Sequence, residues 1–218
     1  MRWTCYIRVS SVVEVVRLIR SGLRQGDRKM SPLTVMKGLW GAWIISWVIA
    51  ALWSDRAAAR PKANAEILYR LLTMASALLL FDSGHHLLVP AGPQFWRVPT
   101  LAGWGLVGLT ALALSFCWWA RIHLGRMWSS SVTRKADHRI VDTGPYALVR
   151  HPIYTGMLTA AAALGVAEGT PAGLVGFGLM VLGFWVKARL EERFLRSELG
   201  PEAYDAYAQR TGMLFPGL

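Results

Sequence analysis

Two short stretches hold the side chains best equipped for chemistry: GPYALVRHPIYTG at residues 144–156, with Arg150, His151 and Tyr154, and KARLEE at 187–192, with Glu191 and Glu192. Pro152 suits the first turn of a helix, where its missing N–H is not needed, and it pushes His151 into an extended, cap-like conformation. RHP therefore marks a helix start. Free N–H groups and a positive dipole end, with Arg150 and His151 beside them, make that start a natural anion site. Gly144 and Pro145 form a turn just upstream that brings Tyr146 back towards the same mouth. Glu191 and Glu192 are adjacent and of like charge at the end of an apolar run, and ionisable groups at such depth are functional suspects. Plainer readings exist for both: Arg150 can snorkel to lipid phosphate, and a water-facing amphipathic helix would also carry two glutamates.

The elements that position these groups are apolar. The chain is 218 residues long, 54% hydrophobic, 17% charged and contains eleven tryptophans, which departs from a soluble domain with about a quarter of its residues charged. Hydrophobic runs lie at Leu33–Trp53, Ile67–Phe81, Leu101–Ile122, Tyr154–Val166 and Ala172–Val186. A spanning helix needs roughly 20 apolar residues. The first and third runs meet that length, the second does so if it continues through Gly84 towards Val89, and the last two, joined by AEGTPAG, read as a tight hairpin. Trp40, Trp53, Trp104, Trp118 and Trp119 lie near run ends, as an aromatic belt would place them. The expected fold is an all-α integral membrane protein of about five transmembrane helices, with a C-terminal helical hairpin and a cytoplasmic pocket. Its parts are a basic leader (1–30), N-terminal membrane helices (31–100) and a core with the C-terminal tail (101–218).

Lys and Arg concentrate after the first and third runs and in the tail, so those connections and the C-terminus are expected to be cytoplasmic, with the turn at Gly169–Pro171 outside. Residues 1–29 are basic and do not form a sixth span; they read as a surface helix or as a segment ahead of a start at Met30, from which the chain should still insert. The hairpin brings Arg150, His151 and Tyr154 to face Glu191 and Glu192. Such a pocket offers basic groups and helix N–H to a carboxylate, and acids to an ammonium or a ribose diol. S-adenosyl-L-methionine carries all of these groups.

The net charge of +11 is dispersed through loops that border anionic lipid, and no nucleic-acid motif accompanies it. Cys5 and Cys117 are too few and too separated for a disulfide framework or a zinc site. GLVGFG at 173–178 lies in an apolar run with no strand before it, so close helix packing, together with TAAAALG at 159–165, is the expected use. DSGHH places Asp82, His85 and His86 at a run end, where interfacial polarity is the simpler reading, and no metal is assigned.

HRIVDTGPYALVRHPIYTG (138–156), then EERFL and YDAYAQRTGMLFP, closely resembles the isoprenylcysteine carboxyl methyltransferase and phospholipid methyltransferase group of integral-membrane enzymes. That signature is Arg-His-Pro-x-Tyr-x-Gly, a hydrophobic hairpin and a Glu-Glu pair; the resemblance covers roughly residues 101–218, including LGRMWSSSV at 124–132, which is similar to bacterial members. It implies a bacterial inner-membrane enzyme using S-adenosyl-L-methionine on a lipophilic or lipidated acceptor. His138, Arg139, Ile140, Val141 and Tyr146 would line the adenosine region. His151, Pro152, Ile153 and Tyr154 would contact the cofactor, and Glu191 or Glu192 would hold its polar end. Arg150 and a basic residue before the acidic pair would serve the reaction, with Arg189 preferred to Lys187; Tyr204, Tyr207 and Arg210 would fasten the tail over the pocket. A carboxylate acceptor is preferred to a phospholipid amine or a thiol. Related sterol-type reductases bind NADPH through a segment reading Arg-His-Pro-Asn-Tyr, where this chain has Ile153, and a non-enzymatic scaffold is the third class. Oligomeric state is not legible.

Overall fold

The computed structural model describes residues 30–51, 63–82, 93–125 and 140–217. Contacts divide the chain into Met1–Ser31 and Pro32–Leu218, and every element below belongs to the second unit. Residues 1–29, Trp53, the stretch from Gly84 to Val89 with His85 and His86, and most of LGRMWSSSV lie outside the described residues.

The helices are α1 (Pro32–Ala51), α2 (Ala63–Asp82), α3 (Thr100–Leu124), the single turn α4 (Pro145–Leu148), α5 (Pro152–Glu168), α6 (Pro171–Leu199) and α7 (Pro201–Arg210). No named strand occurs among the described residues; Val149 and Gly212 form an isolated parallel bridge. Among the described residues the fold is all-α and of the kind that spans a membrane. Three helices, α1, α3 and α6, are long and apolar enough to cross one. α2 reaches 20 residues by starting earlier than its apolar run, at Ala63, and it carries Glu66 and Arg70; α5 has 17 residues. α6 is longer than its run. It continues unbroken for 29 residues through Glu191 and Glu192, because Ala188, Leu190 and the Glu and Arg around them all favour helix and no Gly or Pro intervenes until Gly200.

α1, α2, α3, α5 and α6 alternate in direction between two ends, and glycines set how closely they approach. Gly165 on α5 and Gly173 on α6 meet at the hairpin, where Gly169 turns the chain with φ +64°. Gly176 and Gly183, two turns apart, instead face Leu79, Leu80 and Thr73 of α2, so one side of GLVGFG serves α5 and another serves α2. Gly156 seats α5 on α3: a Cβ there would lie 2.5 Å from Cys117 Sγ and 2.6 Å from the Ala113 carbonyl oxygen. A backbone carbonyl cannot step aside as a side chain can. Gly156→Ala is expected to cost about 1–3 kcal/mol, read as a lowered thermal midpoint in detergent, whereas Gly178→Ala, inside α6 with nothing within 4 Å, should hold the midpoint or raise it.

The tryptophans divide between lipid and core. Trp104 and Trp119 are exposed on α3, as a belt requires. Trp40 is not in the belt: it is buried edge-on against Trp43 and Phe81, because the α1 face carrying Met36, Trp40 and Trp43 turns inward. Trp118 is partly buried and donates to Ser46 Oγ.

At the end holding the Gly169 turn, residues 94–96 lie across the hairpin, with Phe95 N donating to Gly169 O and Trp96 Nε1 to Val166 O. There Lys37 Nζ sits 2.9 Å from Glu168 Oε1, and the Glu168 side chain is 2% exposed. At the opposite end the fully buried Arg121 donates to the carbonyls of Ala50 and Gly125, capping α1 and α3 together.

Candidate active site

His151 is the N-cap of α5, with φ −124° and ψ 63°, and Pro152 occupies the first helical position. The extended backbone at Val149 allows a strap formed by the tail to lie alongside. Arg150 N donates to Gly212 O at 2.8 Å, His151 N to Met213 O at 3.1 Å, and Thr155 Oγ1 to Leu214 O at 2.8 Å. The N–H groups of Arg150 and His151 are therefore taken by the chain itself. The anion site read from RHP is narrower than its sequence implies.

α6 brings its two glutamates to this start. Glu191 accepts the Tyr154 hydroxyl on both oxygens at 2.7 Å. His151 lies between the acids, with Nδ1 3.5 Å from Glu191 Oε2 and Nε2 3.4 Å from Glu192 Oε1. The rings of His151, Tyr154 and Phe184 stack in series, with centroid separations of 5.2 and 4.8 Å. Arg150 turns to the outer side. Its Nε donates to Glu192 Oε1 at 2.7 Å, and its Nη1 donates to the carbonyls of Ala208 and Thr211; both partners of the pair are only 12% exposed. Arg150 thus ties α5, α6 and the tail together.

Lys187, one helical turn ahead of Glu191, packs between two rings, 5.3 Å from the centroid of Tyr154 and 5.4 Å from that of Tyr69, with Nζ 4.0 Å from Glu191 Oε1. Arg189 is not brought to this cluster. It is exposed, with its guanidinium over the Trp185 ring, because residues two apart on a helix face nearly opposite ways. Ile153 and Pro152 are packed at the helix start, and Ile140 and Val141 are half-buried. His138 and Arg139 lie outside the described residues. Tyr146 is buried and stacks on His123, which itself contacts Thr143. Gly144 is required there: its φ is +57°, and a Cβ would meet the His123 ring at 2.8 Å. Tyr207 donates to Tyr146 O, and burial pushes its phenol up to about 12, so it remains a neutral donor. Tyr204 is also buried, while Arg210 reaches Asp142 only at 3.7 Å on the surface.

Sequence reasoning missed Glu66, Tyr69 and Phe184, and the strap at 212–214. Burial alone would lower the basicity of His151, but the Glu191 and Glu192 carboxylates that face its two ring nitrogens at 3.5 and 3.4 Å outweigh it, and the imidazole is held above its ordinary range. A raised histidine contributes stability that is complete below about pH 6.5 and is lost as pH rises through the folded-state value. The thermal midpoint is therefore expected to fall as pH rises above about 6.5, and His151→Asn should flatten that slope. A slope unchanged by the substitution would place the titrating group elsewhere.

Residues 106–197 match the model of the isoprenylcysteine carboxyl methyltransferase family. Over 125 residues the chain is 30% identical to the cobalt-zinc-cadmium resistance protein CzcN of Cupriavidus metallidurans, which covers 56% of this chain and 52% of that one. Over 75 residues it is 39% identical to a probable protein-S-isoprenylcysteine O-methyltransferase in each of Oryza sativa subsp. indica and subsp. japonica, covering 34% of this chain and 39% of theirs. The chain thus matches about half or less of the length of these relatives. The matched segment holds most of α3, all of α5, most of α6 and the His151, Tyr154, Lys187, Glu191 and Glu192 cluster, and over it the chain is similar to the isoprenylcysteine carboxyl methyltransferase family.

Proposed function

We propose that the chain is an S-adenosyl-L-methionine-dependent methyltransferase whose acceptor is the carboxylate of a lipophilic, isoprenylcysteine-like molecule. It acts as a five-span protein of a bacterial inner membrane, with the site and the C-terminus on the cytoplasmic side. The observation that carries this reading is the buried cluster in which His151 lies between Glu191 and Glu192 inside the family-matched segment. Its donor set fits the cofactor's polar groups. Glu191 and Glu192 are acceptors for an ammonium or for ribose hydroxyls, and His151 Nε2 is buried without a hydrogen bond among the described residues. Ile140, Val141 and Tyr146, with His138 and Arg139, would line the adenosine region.

When bound, the cofactor supplies an electrophilic methyl group whose carbon–sulfur electrons return to sulfur as the acceptor oxygen takes the carbon, with no proton transferred. An acceptor carboxylate is ionised at neutral pH, so this chain needs no general base, and its contribution is positioning and exclusion of water. Lys187, held between Tyr69 and Tyr154, is the basic group that orients the acceptor. Arg150, engaged by Glu192 and the tail, holds the pocket's frame, and Arg189 faces away over Trp185.

The test is a titration of the purified protein in detergent with S-adenosylhomocysteine and, separately, with NADPH. A methyltransferase binds the first, a reductase the second and a scaffold neither. Transfer of labelled methyl to N-acetyl-S-farnesylcysteine, recovered as a base-labile ester, then separates a carboxylate acceptor from a phospholipid amine or a thiol.

A further inference from the structure

The charged groups around the site alternate in sign. Arg70 pairs with Glu66; Lys187 lies in the fields of Glu66 and Glu191; His151 bridges Glu191 and Glu192; and Arg150 closes on Glu192. Glu66 is the odd member. Its side chain is 8% exposed, Arg70 takes only Oε2 from an exposed position, and Oε1 is buried with no hydrogen-bond partner among the described residues. A buried carboxylate oxygen without a donor is costly, and in a native site it calls for the group that satisfies it. The location of Glu66 narrows what that group is. It stands one helical turn before Tyr69, on the same face of α2, and the Tyr69 ring carries the ammonium of Lys187, with Tyr154 and the rest of the cluster on the other side. An unfilled acceptor therefore adjoins a cation already confined by two rings.

Resting on the carboxyl-methyltransferase reading above, we infer that Glu66 is a specificity residue for the acceptor: its Oε1 receives an N–H carried on the carbon next to the carboxylate that Lys187 holds. In the isoprenylcysteine-like acceptor proposed above, that N–H is the amide or amine on the α-carbon, a group that a plain lipophilic acid lacks. A fatty acid brings a carboxylate for Lys187 but nothing for Glu66, and a site with a buried polar group left unpaired discriminates strongly against the analogue that lacks its partner.

The experiment compares two acceptors with the same farnesyl thioether and the same carboxylate: N-acetyl-S-farnesylcysteine and 3-(farnesylthio)propionic acid, which lacks the amide. The full chain should prefer the amide-bearing acceptor by at least about tenfold in kcat/KM. Glu66→Met should bring that ratio close to one, and Glu66→Gln, which keeps an acceptor oxygen, should restore most of it. Binding of S-adenosylhomocysteine by each variant establishes that the site has folded. Equal use of both acceptors by the unsubstituted chain, or a ratio unmoved by Glu66→Met, overturns this inference and leaves the methyltransferase reading standing. Methylation of neither acceptor by a chain that binds S-adenosylhomocysteine overturns the carboxylate reading and this inference together.

Discussion

Lys37→Met is expected to lower stability by about 3–5 kcal/mol, the cost of leaving a buried carboxylate without its cation. Glu168 has no alternative: it sits at the last residue of α5, where the helix dipole repels a negative charge, with its side chain 2% exposed and its Oε2 beside Gly173, near enough to crowd a Cβ there at 2.9 Å. Lys37, held also near the Phe81 carbonyl, is its ion-pair partner among the described residues and joins α1 and the end of α2 to the hairpin. The double variant Lys37→Met/Glu168→Gln should recover most of the loss, since replacing both charges of a buried pair is often close to neutral. Thermal unfolding of the two single variants and the double in one detergent gives the coupling energy. A single-variant cost below about 1 kcal/mol would show the pair behaving as an exposed one.

Glu191→Gln and Glu192→Gln are each expected to weaken S-adenosylhomocysteine binding by roughly ten- to a hundredfold, from the loss of charge-assisted hydrogen bonds worth about 1.5–3 kcal/mol. The two should differ in stability. Glu191 faces Tyr154, His151 and Lys187, whereas Glu192 is also the carboxylate for Arg150, a guanidinium only 12% exposed. Glu192→Gln therefore leaves Arg150 short of its counter-charge and should cost about 1–3 kcal/mol more than Glu191→Gln. Calorimetric titration beside thermal melts separates the effects. Unchanged affinity in both variants would remove the cofactor cradle, and equal melting would remove the clamp role of Arg150.

Apolar runs and punctuation are strong local signals, so the order of the helices and the C-terminal hairpin were legible in the sequence. RHP gave the start of α5 to the residue, and the even spacing of the hairpin brought Glu191 and Glu192 to it. Helical period could also have told which of the two basic candidates joins the cluster: Lys187 precedes Glu191 by four residues and shares its face, while Arg189 precedes it by two and does not. The Lys37–Glu168 pair was legible in principle, since lone ionisable residues within apolar runs seek each other, yet they stand 131 positions apart and only the fold supplies the meeting. The strap at Gly212, Met213 and Leu214 had no such signal. It is held by backbone groups, which every residue has, so neither charge nor periodicity marks its partner. Glu66 was hidden for a different reason: one acidic residue near a helix start is ordinary, and its burial depends on how closely Gly176 and Gly183 let α2 approach α6.

The strap also sets an order of assembly during synthesis. The N–H groups of Arg150 and His151 find their acceptors at Gly212 and Met213, about sixty residues later, which at roughly 5–20 residues per second is a wait of several seconds. Until those residues have left the ribosome, α5 and α6 can pair through Gly165 and Gly173, but the mouth between them has no frame. A ribosome that stalls, or a message cut short, anywhere between residues 200 and 211 would thus yield a chain that packs its hairpin yet never holds Arg150 and His151 in place against Glu191 and Glu192.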